Sequence, residues 1–288
     1  MKSMMPKHAT IFLIALFSLV LFSFNLFGSN FKKIEKTFAI RGNAPLSIYI
    51  DADAGEISVC KNDSSDEIAI RADVNDEVDE LEMGMDERQN EFSISLERKK
   101  WLKSMDNEGS SELEIRLPVS VILQLTGAIK AGRIEFDLGG LKLKNLELRN
   151  MAGEAIVDFP EPNPIEMESL DINVSVGETT LRRLGNARFH DANINGGIGD
   201  LHIDLTGEIL TKSEADIDLD IGATTVYLPT DSGIRLKSST WGFLTETNLD
   251  TEFHKKGRYY FSKNYDTAGR IMYISISSGV GELKVKFR

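Results

Sequence analysis

Apolar and polar residues alternate along much of the chain after residue 45, which is the period of a strand with one buried face. In the segment 132–138, for example, the apolar Ile134 and Phe136 are separated by the charged Glu135. The segments 67–74, 91–98 and 111–118 alternate in the same way, and no long amphipathic helix competes with them. This pattern predicts an all-β protein.

A second pattern repeats about every 22 residues and is marked by a glycine. The segments 131–138 (AGRIEFDL) and 198–205 (IGDLHIDL) are nearly the same, and five further segments follow their form. The marker glycines are Gly55, Gly132, Gly153, Gly177, Gly199, Gly222 and Gly281, with a degraded copy at Gly242. Because glycine tolerates a positive φ at little cost, we interpret each marker as the turn of one repeat.

Residues two and four positions after each marker, such as Ala155 and Val157, are expected to point inward. Apolar residues also recur at fixed distances before four of the markers, with Lys212 as the exception. A unit of this length cannot bury its own apolar face, so successive units must stack and pair their backbones. The sequence predicts a single-stranded β-solenoid (β-helix) with rungs of about 22 residues, in which Val157, Leu181 and Ile203 lie one above another.

An apolar run at residues 11–27 follows Lys2 and Lys7. It is close to the roughly 20 residues that span a bilayer and long for the apolar region of a signal peptide. We expect a membrane helix ahead of the β-solenoid, with membrane contact through residues 9–27. An uncleaved anchor is favoured over a removed signal peptide because Leu26 and Phe27, three residues before the two candidate cleavage points, are large. The short N-terminal tail favours an exported C-terminal domain, and a secreted or periplasmic chain after cleavage is the alternative.

These patterns divide the chain into four parts. They are a signal-anchor or signal peptide (1–30), a linker (31–45), an N-terminal β cap with the first rungs (46–118) and the β-solenoid repeat domain (119–288). The cap contains a hairpin formed by the segments 91–98 and 111–118. The aromatic residues near the other end are expected to cover the last rungs, with glycan or peptide stacking as the alternative. These residues are Trp241, Phe243, Phe253, Tyr259, Tyr260, Phe261 and Tyr265.

Composition narrows the possible functions. A formal net charge of −12 repels phosphate backbones, which argues against a nucleic-acid partner. Cys60 is the only cysteine, so neither an intramolecular disulfide nor a Cys-based zinc site is available. The histidines have no metal-ligand spacing; they are His8, His190, His202 and His254. We expect no catalytic residue, no metal and no cofactor.

Acidic residues offer two weaker candidates for a cation site. The segment Asp216–Asp220 (DIDLD) starts like a calcium loop, but an EF-hand needs glycine and glutamate where Ile221 and Tyr227 stand. We interpret this segment as a solvated strand face. The acids Glu154, Glu178 and Asp200 follow three successive markers and are expected to form a column that either splays into solvent or recruits a cation.

One ion pair between rungs is also predicted from the repeat. Arg182 stands five residues after its marker, at the same offset as Asp158 and Asp204 in the neighbouring units. We therefore expect its guanidinium to lie between these two carboxylates.

Several segments resemble a known family. The segments 112–138, 140–160, 223–243 and 259–287 are similar to the toast-rack, adhesin-like β-solenoid domains of bacterial envelope proteins, which cell-wall-stress regulators share. The resemblance covers about residues 45–288, and its most specific part is Asn-Tyr-Asp followed by an alternating strand and Gly-Val-Gly. It implies a non-enzymatic envelope protein and supplies no catalytic residues.

The leading hypothesis is a membrane-anchored β-solenoid in the cell envelope that acts as an adhesin-like interaction or scaffold module. Its partner would be an unknown envelope protein or a glycan. One alternative is an envelope-stress sensor or regulatory domain, which rests on family analogy alone. The other is a polysaccharide-acting parallel β-helix enzyme, which would need carboxylates for calcium and a basic residue in one groove.

Overall fold

The computed structural model describes residues 31–42, 44–63, 66–99, 109–240 and 244–288. These residues form strands and connecting loops, with one 3-10 turn at Leu184–Ala187, and the 18 strands belong to one mixed sheet. The predicted all-β class is confirmed. The predicted membrane helix falls within residues 1–30, which lie outside the described residues. Among the residues that are described, no helix is long and apolar enough to cross a membrane.

The strands follow the alternating segments of the sequence. They are β1 Phe31–Ala39, β2 Leu46–Ala52, β3 Gly55–Asn62, β4 Glu67–Asn75, β5 Asp79–Asp86, β6 Glu91–Arg98, β7 Glu112–Pro118, β8 Ile122–Ile129, β9 Gly132–Asp137, β10 Lys142–Asp158, β11 Met167–Arg182, β12 Phe189–Asp204, β13 Lys212–Leu228, β14 Gly233–Thr240, β15 Thr245–Leu249, β16 Phe253–Lys256, β17 Tyr259–Ser262 and β18 Ile271–Phe287.

The centre of the molecule is a stack of long parallel strands in the order β10, β11, β12, β13 and β18. Val157 pairs with Leu181, Leu181 with Ile203, Ile203 with Val226, and Val226 with Val285. Each of these side chains is at most 1% exposed. The vertical alignment of Val157, Leu181 and Ile203 predicted from the repeat is therefore present, and the column continues in both directions through the core.

Spatial order departs from chain order at both ends of the stack. The pair β2 and β3 lies between β6 with β7 on one side and β8 with β9 on the other. At the opposite end, the C-terminal strand β18 lies between β13 and the two strands β14 and β15. The strands β2 and β3, and likewise β18, are thus inserted between segments that the sequence places next to each other, which closes the ladder with non-local pairs.

The segment 31–45 contains a strand where the sequence predicted a linker. Strand β1 pairs antiparallel with β4 along its whole length, with Ile34 opposite Ala72. Ile34 and Phe38 are partly buried against the core, and the ring of Phe38 lies 4.9 Å from that of Phe92. Strand β1 has a short apolar face, and this face covers the end of the stack.

The predicted hairpin between 91–98 and 111–118 is wrong. Strand β6 pairs antiparallel with β5 and parallel with β2, whereas β7 pairs with β3 and β4. The hairpin of this region is β5–β6, so the acidic segment before residue 91 takes part in the sheet. Asp79, the first residue of β5, is buried and receives two hydrogen bonds from Arg98, which lies opposite it in β6.

The C-terminal end is covered by the hairpin β16–β17, which pairs with β14 at Arg235 and Leu236. Phe253 lies 4.9 Å from Phe287 and 6.4 Å from Tyr260, measured between ring centroids. Both Phe253 and Tyr260 pack against the core, as a cap requires. Trp241 and Phe243, which the sequence also placed in this cap, lie outside the described residues.

Candidate functional site

The marker glycines form a column in which each one lies against the next. All seven have φ between +123° and +146°. A Cβ atom at Gly132 would lie 2.0 Å from the carbonyl oxygen of Gly55, so glycine is required by contact as well as by conformation. Gly55 and Gly132 begin strands, and the other five lie inside β10, β11, β12, β13 and β18. The predicted repeat turns are therefore kinks within or at the start of strands, not loops between them.

The degraded marker at Gly242 lies outside the described residues. The register of β15 places Thr245, not a glycine, opposite Gly281. Its hydroxyl donates a hydrogen bond to the carbonyl oxygen of Gly279. The outermost rung thus replaces the glycine with a residue that satisfies a backbone acceptor of its neighbour.

An exposed row of aliphatic side chains runs along the outside of this column. Val176 pairs with Ile198, Ile198 with Ile221, and Ile221 with Val280, each one residue before a marker glycine. Leu244 extends the row, because it precedes Thr245 and its carbonyl accepts a hydrogen bond from the amide of Gly281. Their exposed fractions are 50% for Val176, 53% for Ile198, 47% for Ile221, 41% for Val280 and 39% for Leu244. We call these five residues the aliphatic rib.

The rib was not recognised in the sequence, although a signal for it was present. The residue before the marker is alanine in the first three rungs, namely Ala54, Ala131 and Ala152. In later rungs it is valine or isoleucine. This change at one repeated position could have indicated that the two halves of the molecule present different surfaces.

Carboxylates border the rib on both sides. The predicted acidic column is present in register, with Glu154 opposite Glu178 and Glu178 opposite Asp200. Glu154 is paired with Arg133, with Nη1 2.5 Å from Oε2, whereas Glu178 and Asp200 are exposed. We call Glu178, Asp200 and Glu246 on this side, with Asp218 and Asp220 on the other, the carboxylate border.

A shallow groove of about 440 Å³ runs beside the rib on the side of Asp218 and Asp220. Its floor includes Ser175 and Gly197, which stand two residues before their markers. A Cβ atom at Gly197 would lie 2.3 Å from the carbonyl oxygen of Ser175, so Gly197 cannot be replaced by a larger residue without a shift of the backbone. The rib consequently stands beside a trough that is open at Ser175 and Gly197 because their side chains are small or absent.

The described residues include no group of three or more His, Cys, Asp or Glu side chains placed to hold a metal ion. Asp216, Asp218 and Asp220 alternate with buried residues on the exposed face of β13, as expected for a solvated strand. His202 is exposed as predicted. His190 contacts Glu166 at 3.0 Å between Nε2 and Oε2, and His8 lies outside the described residues.

The predicted position of Arg182 as an ion-pair partner is corrected by the structure. Arg182 pairs with Asp158 in backbone register, but the guanidinium that binds the Asp158 carboxylate belongs to Arg183, with Nε 2.8 Å from Oδ1. Arg183 has a left-handed backbone, at φ 54°, which turns its side chain back over the preceding rung. Asp204 instead lies 3.4 Å from Nη1 of Arg288.

A groove of about 390 Å³ collects charges of both signs on the outer face of β1, β4, β7, β3 and β9. Its cations are Lys33, Arg71 and Arg133. Each lies within 4 Å of a carboxylate: Lys33 of Asp73, Arg71 of Glu35 and of Glu114, and Arg133 of Glu154. All three cations of this groove are therefore engaged in ion pairs, and its lining contains more carboxylates than cations.

Two titrating groups of the N-terminal rungs are perturbed by their surroundings. Burial raises the pKa of Asp53, but hydrogen bonds from the Lys130 side chain and from the Arg98 amide outweigh it, so that the pKa is lowered. Burial and the nearby charge of Glu114 raise the pKa of the Cys60 thiol. The raised pKa lowers the fraction of Cys60 that is present as the reactive thiolate.

Comparisons with known proteins divide the chain into two matched regions. Residues 27–168 match the family described as the N-terminal domain of toast_rack. Residues 175–285 match the family described as cell wall-active antibiotics response LiaF, C-terminal, and this region contains all five rib residues. No curated protein matches the chain.

Several crystal structures are similar to this chain at low identity. A proposed cell adhesion protein from Clostridium sporogenes has 16% identity and a TM-score of 0.45, and the match covers 90% of this chain and 100% of that one. A proposed adhesin from Bacteroides fragilis has 13% identity and a TM-score of 0.39, with 88% and 97% covered. A third, from Parabacteroides distasonis, has 8% identity and a TM-score of 0.36, with 90% and 98% covered. Similarity at these identities and TM-scores does not assign the function of those proteins to this chain.

Proposed function

Because this chain belongs to the toast-rack family and carries a LiaF-like C-terminal domain, we propose that it is a non-enzymatic interaction module of the bacterial cell envelope. The observation that carries the proposal is the aliphatic rib, a continuous exposed surface on a stack of parallel strands. Contiguous apolar surface of this kind is typical of sites that contact other molecules. A rigid single-stranded β-solenoid would hold such a surface straight and at a fixed distance from its base.

The same proposal places the chain at a membrane. The apolar run at 11–27 would anchor it, and the β domain that begins with β1 would then project from the membrane surface. In the host, the full-length chain is expected to sediment with membranes after carbonate washing, and protease added from outside should reach the β domain. Recovery of the full-length chain in the cytoplasmic fraction would contradict this location. The intact mass of the mature protein distinguishes a retained anchor from a cleaved signal peptide.

The LiaF-like match favours an interaction module that acts in the envelope-stress response. We expect deletion of the gene that encodes this chain to change the output of an envelope-stress reporter after exposure to a cell-wall-active antibiotic. Complementation by the wild-type chain should restore that output. An unchanged reporter in the deletion strain would leave an adhesin-like or scaffold role as the surviving form of the proposal.

One place that the polysaccharide-acting alternative would use is the mixed-charge groove on β1, β4, β7, β3 and β9. Its three cations are paired with carboxylates, so a basic residue free to abstract a proton is not offered there. Incubation of the purified chain with acidic polysaccharides and calcium is expected to give no unsaturated product by ultraviolet absorbance. Product formation that disappears with Arg133→Gln would replace the present proposal with an enzymatic one.

A further inference from the structure

We propose that the aliphatic rib and its carboxylate border are the docking surface for a cationic amphipathic helix of a partner protein. The inference rests on the proposed interaction function and adds to it the chemistry of the partner. It follows from the position of the rib, from the charges beside it and from its spacing.

The rib residues lie outside the hydrophobic core, which is formed by other residues of the same strands. On one side of the kink, Leu201 and Leu283 point inward and are at most 2% exposed, and on the other side Leu219 is equally buried. Stacked β-branched side chains do stabilise neighbouring strands, by roughly 0.2–1 kcal/mol for each pair. That benefit would apply to every rung, yet the first three rungs carry alanine at this position. At the position before the marker, large side chains are confined to the five consecutive rungs from Val176 to Leu244, which marks this part of the surface for contact with another molecule.

The charges beside the rib select the partner. Glu178 and Asp200 are exposed on one side, and Asp218 and Asp220 are exposed on the other. A second copy of the chain would bring these borders against the same acids, and an anionic membrane would be repelled in the same way. A partner that presents an apolar stripe between rows of Lys or Arg would instead be complementary to both borders at once.

The spacing of the rib fits a helix. Neighbouring strands lie about 4.8 Å apart, so that five rungs place five aliphatic side chains along roughly 19 Å. A helix of three to four turns has a pitch of about 5.4 Å and presents an apolar stripe of similar length. The trough beside the rib, with Ser175 and Gly197 on its floor and a volume of about 440 Å³, would accept side chains from that stripe.

The test uses the full-length chain in phosphatidylcholine nanodiscs and two synthetic 18-residue peptides. Both peptides have the same leucine stripe, which is bordered by lysines in one and by glutamates in the other. We compare the wild-type chain with Ile198→Ser/Ile221→Ser, and as a matched control with Tyr49→Ser, which changes an exposed aromatic residue of β2, away from the rib. A second pair compares Asp200→Asn/Asp218→Asn with Glu82→Gln/Glu87→Gln, two exposed acids at the other end of the stack.

The lysine peptide is expected to bind the wild-type chain and both control variants equally, as measured by fluorescence anisotropy. Its affinity should fall at least tenfold for Ile198→Ser/Ile221→Ser, and it should fall several-fold for Asp200→Asn/Asp218→Asn. The glutamate peptide should not bind. Circular dichroism with unchanged thermal midpoints confirms that the variants are folded.

Equal binding of the lysine peptide to the wild-type chain and the rib variant would overturn the inference. Equal binding of the two peptides would do the same, because it would remove the role of the carboxylate border. Self-association of the wild-type chain that is lost in the rib variant, measured by sedimentation velocity, would assign the rib to a second copy instead. The peptide-binding results do not depend on the cellular location or on the stress reporter. The tests of the proposed function therefore succeed or fail independently of this inference.

Discussion

A Cβ atom added to Gly199 would lie 1.8 Å from the carbonyl oxygen of Gly177 on the neighbouring rung. The backbone of Gly199 has φ +144°, a conformation that side-chain-bearing residues rarely adopt. The glycine column therefore sets both the kink of each rung and the close approach of successive rungs.

Replacing this glycine is expected to separate two rungs locally. We predict that Gly199→Ala lowers the free energy of unfolding by about 3 kcal/mol or more, because backbone strain adds to the steric overlap. The measurement is urea unfolding followed by circular dichroism. Gly84→Ala is the matched control, since no atom lies within 4 Å of the added Cβ and the backbone is not left-handed. Gly84→Ala should change stability by less than about 0.5 kcal/mol; equal losses in the two variants would contradict this account of the column.

The repeat could be predicted from sequence because each rung carries its own packing requirement. Val157, Leu181 and Ile203 occupy one offset from their marker glycines, and that offset alone places them in one column. The direction of alternate side chains follows from the two-residue period of a strand. Both inferences need only local patterns, and the long parallel ladders follow from stacking.

The order of the rungs could not be read in the same way. The rung of Gly55 and the rung of Gly281 have the same pattern as the others, so the sequence does not say between which neighbours they insert. The partner of Asp158 was missed because a left-handed residue, Arg183, reverses the direction expected from strand alternation. The rib was missed because an exposed aliphatic side chain is unremarkable in a single rung, and its significance appears only in register.

A buried ion pair ties the hairpin β5–β6 to the first rungs. Asp79 is 1% exposed and accepts hydrogen bonds from Nε of Arg98 at 2.8 Å and from the Ser111 hydroxyl at 2.6 Å. Asp79→Ala is expected to destabilise the chain by about 3–5 kcal/mol, because it leaves the guanidinium of Arg98 without its buried carboxylate. Urea unfolding measures the loss.

The exposed pair of Lys263 and Glu252, with side chains 66% and 50% exposed, provides the comparison. Glu252→Gln should cost less than about 1 kcal/mol, since solvent already screens this pair. A loss for Asp79→Ala as small as that for Glu252→Gln would show that the hairpin does not depend on the buried carboxylate.

Asp53 makes stability depend on pH. Its folded pKa is depressed although burial acts in the opposite direction, because Lys130 and the Arg98 amide donate hydrogen bonds to the carboxylate. A depressed carboxyl pKa contributes stability above the unfolded value of about 3.9, and this contribution is lost as the pH falls through the folded pKa. Asp53→Asn should therefore lower the thermal midpoint by a few degrees at pH 7, and the difference from wild type should shrink below about pH 4.

The control for this pH dependence is Asp216→Asn, which changes an exposed acid on the solvated face of β13. Its thermal midpoint should follow that of the wild-type chain from pH 7 down to the acid transition. A difference between Asp53→Asn and wild type that persists unchanged at low pH would mean that the asparagine disturbs packing and that the ionised carboxylate is not responsible.

Cys60 should react slowly in the folded chain. It lies in β3 and is only partly exposed. Burial and the charge of Glu114 raise the pKa of its thiol. The raised pKa lowers the fraction of thiolate at pH 8. We predict that iodoacetamide alkylates the folded chain several-fold more slowly than the same chain in urea, as measured by intact mass over time. Glu114→Gln removes one cause of the raised pKa and should accelerate alkylation of the folded chain, with the rate in urea unchanged. Alkylation of folded and unfolded wild-type chains at the same rate would contradict the assignment of Cys60 as a protected, unreactive thiol.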